Sequence, residues 1–142
     1  MQHLVEHSPT LDCEVLEGLC DEFGTATVTS LVANFCERVP LLESILNATR
    51  AGDRRELARN AHGLRSAASI LGATRLAELA TELEERALAG HFYGSEIIAR
   101  EASAEFERAQ AQMGAALSVA HSRADSVQPW RMTKRSRHAY AS

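Results

Sequence analysis

Apolar residues recur at helical spacing along most of the chain, in runs separated by glycine-containing turns, and nowhere do they alternate as in a half-buried strand. This pattern predicts five helices. The first runs from about Leu11 to Phe23, with Asp12 placed to cap it and Val15, Leu16, Leu19 and Phe23 as its apolar line; Gly24 breaks it. The second runs from about Thr27 to Thr49, where Val28, Leu31, Val32, Phe35, Val39, Leu42, Ile45 and Leu46 form one long stripe. Pro40 falls inside that stripe and is expected to kink the helix rather than end it, because the period resumes beyond it. After the turn R-A-G-D, Asp53 and Glu56 have capping-box spacing, so a third helix is predicted from Arg54 to about Leu71. Its core line is Leu57, Ala61, Leu64, Ala68 and Leu71, and Gly72 is the break. A fourth helix carries Leu76, Leu79, Leu83 and Ala87 and stops near Gly90. A fifth, from about Ser95, carries Ile98, Ala102, Phe106, Ala109, Met113 and Leu117.

The last four helices are amphipathic and joined by short loops, which favour antiparallel neighbours. The expected fold is therefore all-α, an up-down-up-down four-helix bundle with an additional N-terminal capping helix. It would occupy residues 1–119. Residues 120–142, which include Trp130, are polar and aperiodic and are expected to form a flexible tail. Composition agrees: aromatics are 5% of the 142 residues, and alanine and leucine are abundant.

Charge separates the two segments. Residues 1–119 hold ten arginines against eighteen acids, a balance of −8, while residues 120–142 hold five cations and one acid, a balance of +4. An acidic body argues against a general nucleic-acid surface. Cys13, Cys20 and Cys36 form no C-x-x-C pair, and an odd number cannot all pair within one chain; buried small hydrophobes in a reduced, cytoplasmic setting are expected. No apolar stretch reads as a signal peptide or a membrane span.

The candidate chemistry sits on the third helix. His62 follows the core residue Ala61, so it points about 100° around the helix from the buried line, toward the bundle edge. An imidazole there can present a free ring nitrogen as a nucleophile, or can be an ordinary surface histidine. Arg55, Arg59, His62, Ser66 and Ser69 are spaced four and three apart and share one face, and Arg65 sits one turn after His62. That face is suited to an acidic pocket and a phosphoryl group, since arginine binds phosphate oxygens as a fork; a solvated helix face is the alternative. If the third and fourth helices form a hairpin centred near Ala73, Glu84 faces His62. Its carboxylate would then fix the imidazole tautomer, unless it instead pairs with Arg86 or Arg59. His3, His7, His91, His121 and His138 are scattered, without metal-ligand spacing.

The run A-H-G-L-R-S-A-A-S-I-L-G-A, residues 61–73, resembles the signature of histidine-containing phosphotransfer (HPt) domains, roughly A-H-x-L-K-G-x-x-x-x-x-G-A. The resemblance extends through N-F-C-E-R-V-P-L-L-E-S-I-L and A-G-D-R-R-E-L-A-R-N upstream and R-L-A-E-L-A-T-E-L-E downstream, over about residues 10–118. It implies a phosphoryl carrier without kinase or phosphatase activity of its own, acting in a two-component phosphorelay. His62 is similar to the phosphorylated histidine, Arg65 stands where the family usually has lysine, Glu84 where it often has glutamine or glutamate, and Gly72 matches its second glycine. Ser66 departs from the family's common glycine, which leaves room for a receiver domain to approach. The implied partners are response-regulator receiver domains and a sensor or hybrid histidine kinase, with this chain acting as a monomer. The receiver would supply Mg²⁺, and no cofactor is expected in this chain. A receiver- or kinase-binding regulatory module that takes no phosphate is the competing reading.

Overall fold

The computed structural model describes residues 8–125, and within them the chain is all-helical. Six helices follow one another: α1 (Cys13–Phe23), α2 (Thr25–Cys36), α3 (Val39–Ala51), α4 (Arg54–Ile70), α5 (Thr74–Ala89) and α6 (Ser95–Asp125). Helix α4 packs against α3 and α5, and α6 packs against both of those partners. Helices α1 and α2 pack on each other and on α6.

The long second helix expected from the sequence is two helices. Pro40 lies in the first turn of α3, where its missing N–H leaves no bond unmade. The α-helical ladder gives way just before it: Arg38 N–H bonds back only to Phe35 O, at 3.1 Å. The apolar stripe continues across this break because both helices face the same core. Its weakest member is Val39 at the junction, 48% exposed. Phe23, placed in the apolar line of α1, is also exposed, at the helix end.

Local signals account for several of the other boundaries. The Asp12 carboxylate accepts from Glu14 N–H, and that of Asp53 accepts from Glu56 N–H at 3.1 Å. The capping box at α4 is only half made, because the Glu56 carboxylate turns to Arg59. At the α4–α5 turn Gly72 has φ +80° and sits against α1: a Cβ there would lie 2.9 Å from both Asp12 O and Val15 Cβ. Glycine is required on both counts. Asp12 N–H donates to Gly72 O at 2.8 Å and ties α1 to this turn.

The core is apolar and closed around Phe35, Leu57, Leu64, Leu76, Leu83, Phe106 and Met113. The rings of Phe35 and Phe106 stack at 4.9 Å. Two expectations need correction. Cys13 is exposed rather than buried, because Leu16 holds the inward line of α1, while Cys20 and Cys36 are half-buried and burial pushes both thiols up. The boundary expected at residue 120 falls inside α6, which runs on to Asp125. Extending a formed helix costs little, so a few residues without an apolar period can still be helical. The rest of the expected tail, Trp130 included, lies outside the described residues. No described helix is long and apolar enough to cross a membrane.

Candidate functional site

Helices α4 and α5 are joined by only Leu71–Ala73 and pack extensively as an antiparallel hairpin. Ala61 and Leu64 on α4 and Ala80, Leu83 and Ala87 on α5 are fully buried, and the alanines let the two backbones approach closely. That packing fixes the positions from which His62 and Glu84 project. Arg54 fastens the open end of the hairpin: its guanidinium donates to Ala87 O at 3.2 Å and Leu88 O at 2.6 Å, satisfying carbonyls at the α5 C-terminus.

At the middle of the hairpin three side chains meet. His62 Nδ1 lies 3.0 Å from Glu84 Oε2, and Arg65 Nη2 lies 3.0 Å from the same Nδ1. Arg65 Nη1 reaches the other carboxylate oxygen, Glu84 Oε1, at 3.3 Å. The imidazole is 55% exposed and the glutamate side chain 16%, so Glu84 forms a sheltered floor and His62 stands above it. Glu84 pairs with neither Arg59 nor Arg86; these go to Glu56 and Glu82.

Arg55, Arg59, Ser66 and Ser69 are exposed on the same helix as His62, at the predicted register. The arginines lie toward the open end of the hairpin and the serines toward its turn. Beyond Arg65, however, the charge on this side of the hairpin turns acidic. Beside Arg65 an open groove of about 580 Å³ runs between α4 and α5, lined by Ser69, Thr74, Glu78, Glu82 and Glu85. Arg65, beside the imidazole, therefore stands where a basic surface meets an acidic one. Sequence reasoning missed this groove, the Arg65–Glu84 pair and the Arg54 clamp. Counting outward from Ala73 pairs Arg54 with Phe92, and no helix-pair rule shows a long side chain reaching back to two carbonyls.

A solvent-facing imidazole whose second nitrogen rests on a carboxylate, carried by an all-α frame beside an open groove, is suited to a group carrier that meets its partner at the surface. The Hpt domain model matches residues 30–117, which is most of the chain: it belongs to the Hpt domain family, and its role is histidine phosphotransfer in a phosphorelay. Among solved structures it is similar to histidine-containing phosphotransfer protein B (HptB) from Pseudomonas aeruginosa PAO1. That likeness has a TM-score of 0.72 and 27% identity, and covers 78% of this chain and 96% of that one. No curated protein matches the chain's sequence.

Proposed function

We propose that His62 is the residue that carries the phosphoryl group, exchanging it with the aspartate of a receiver domain. The observation that carries this reading is the pairing of an exposed imidazole with the sheltered Glu84 carboxylate, 3.0 Å from Nδ1. With Nδ1–H donated to Glu84, the lone pair is on Nε2, facing water. Nε2 attacks phosphorus in line with the leaving aspartyl carboxylate. A new N–P bond forms as the P–O bond breaks, and the positive charge gained by the ring is balanced by Glu84. Arg65 reaches the phosphoryl oxygens and stabilises their charge in transit, so this chain's share of catalysis is positioning and electrostatics.

The receiver brings the Mg²⁺ that neutralises the aspartyl phosphate. It docks across the face marked by Arg55, Arg59, Ser66 and Ser69, with a sensor or hybrid kinase upstream. The serine hydroxymethyl of Ser66 occupies space one turn from His62 and narrows the approach relative to glycine. In this reading α3–α6 form the up-down-up-down bundle, with each short loop joining packed neighbours and α1 closing over the α4–α5 turn. The chain works as a monomer in the cytoplasm, without nucleic acid, and the basic residues beyond α6 take no part in transfer.

Incubation with a phosphorylated receiver tests the assignment. Acid-labile phosphate should appear on this chain and map to the peptide containing His62. Phosphate mapping to any other residue would overturn it.

A further inference from the structure

We propose that Arg65 also selects the tautomer of His62 and keeps Nε2 unreactive until an arriving phosphoryl group draws the guanidinium away. This rests on the reading of His62 as the acceptor. Nδ1 has two neighbours at equal distance, Glu84 Oε2 at 3.0 Å and Arg65 Nη2 at 3.0 Å. A carboxylate only accepts and a guanidinium only donates. In a neutral imidazole Nδ1 carries either a hydrogen or a lone pair. One of the two contacts is then a hydrogen bond, and the other sets donor against donor or acceptor against acceptor.

The two arrangements differ in reactivity. When Nδ1–H points at Glu84, the lone pair is on Nε2 and can attack. When Arg65 donates to Nδ1, the hydrogen is on Nε2 and no lone pair remains there. Each state makes one strong contact and forfeits the other, so the arginine holds the ring partly in the unreactive form. Its Nη1 contact to Glu84 Oε1, 3.3 Å, keeps the guanidinium at the cluster in both states.

A phosphoryl group changes this balance. Its anionic oxygens offer Arg65 a forked partner outside the cluster. Arg65 is also the more exposed of the two neighbours, 39% against 16% for Glu84, so a group arriving from solvent reaches it first. Once it moves, Nδ1 holds the hydrogen toward Glu84, Nε2 attacks phosphorus, and the electron pair of the broken P–O bond leaves with the aspartyl carboxylate. The hydrogen passes between ring nitrogens through water, which reaches the half-exposed ring. The same side chain thus masks the nucleophile at rest and stabilises charge during transfer.

Arg65→Met separates these effects, because it keeps a long side chain and removes every donor. Nitrogen-15 NMR of histidine-labelled protein, with the His62 signals assigned by difference against His62→Gln, reports which ring nitrogen bears the hydrogen. The wild type should hold a substantial Nε2–H population, and Arg65→Met should move to Nδ1–H. Diethyl pyrocarbonate gives a second readout, since this uncharged electrophile gains nothing from arginine's charge. Its reaction at His62 should be about threefold or more faster in Arg65→Met, in proportion to the competent fraction released, with Arg65→Lys between. Loss of charge stabilisation alone would slow phosphoryl transfer and leave both readouts unmoved. An unchanged tautomer balance, or an unchanged carbethoxylation rate, would overturn the proposal. Failure of wild-type His62 to take phosphate from a phosphorylated receiver would instead sink the acceptor reading, and the tautomer result would still stand.

Discussion

The α4–α5 hairpin and the α2–α3 segment are both made of amphipathic helices on one core, but they are held in different ways. The hairpin is fastened along its length. Asp53 caps its start, Arg54 clamps the Ala87 and Leu88 carbonyls, Glu84 links to His62 and Arg65 at the middle, and Gly72 seats its turn against α1. The α2–α3 segment is interrupted at Glu37 and Arg38, starts α3 without a side-chain cap, and leaves Val39 half-exposed. It is held by what it buries: Phe35, Leu42 and Ile45. Side chains that must meet at hydrogen-bond distance sit on the fastened element. The other element supplies core, and there a broken helix costs nothing that matters to the site.

Substitutions should respect this division. The largest effect is expected from His62→Gln, which should abolish acid-labile phosphate uptake while leaving the helical circular dichroism signal intact; full uptake by the variant would dissolve the distinction. Phe35→Ala should lower stability by about 3–5 kcal/mol in denaturant melts, the cost of emptying an aromatic core site. Its folded molecules should still accept phosphate at the wild-type rate. A slowed transfer step there would mean that α2 helps to shape the site.

Arg65→Ala should slow phosphoryl transfer by on the order of tenfold to a thousandfold, the scale of one lost charge-stabilising group, and this net effect includes any gain from releasing the tautomer. Rapid-quench kinetics with a phosphorylated receiver would measure it, and unchanged rates would leave Arg65 as a surface ion pair. Ser66→Gly should have the smallest effect: a loss of up to about 1 kcal/mol in helix stability, with transfer preserved or faster. Weakened receiver binding would show that the serine hydroxyl makes a contact of its own.

The same division explains what could be read in the sequence. Asp53, Gly72, Ala61 and Leu64 are local or periodic signals, so the existence of α4, its turn and its buried line were all legible. His62 opposite Glu84 followed from counting outward from Ala73, because a short turn imposes register on the helices that it joins. The break before Pro40 left no mark in the pattern, because an apolar stripe reports which face is buried, not whether the backbone ladder is continuous. The end of α6 shows the converse, since residues without an apolar period can still extend a formed helix. The Arg65–Glu84 pair and the Arg54 clamp depend on where flexible side chains settle once the backbones are fixed, and spacing does not encode that. The acidic groove joins residues of two helices and appears only when they are packed.

In this reading His62 carries the phosphoryl group on Nε2 while Nδ1 rests on Glu84. Phosphorus-31 NMR of the intact protein, taken after transfer from a phosphorylated receiver, tests both parts at once. A single phosphohistidine resonance is expected, coupled to the Nε2 nitrogen of a labelled His62 and absent in His62→Gln. A resonance coupled to Nδ1, or one that persists in His62→Gln, would contradict it.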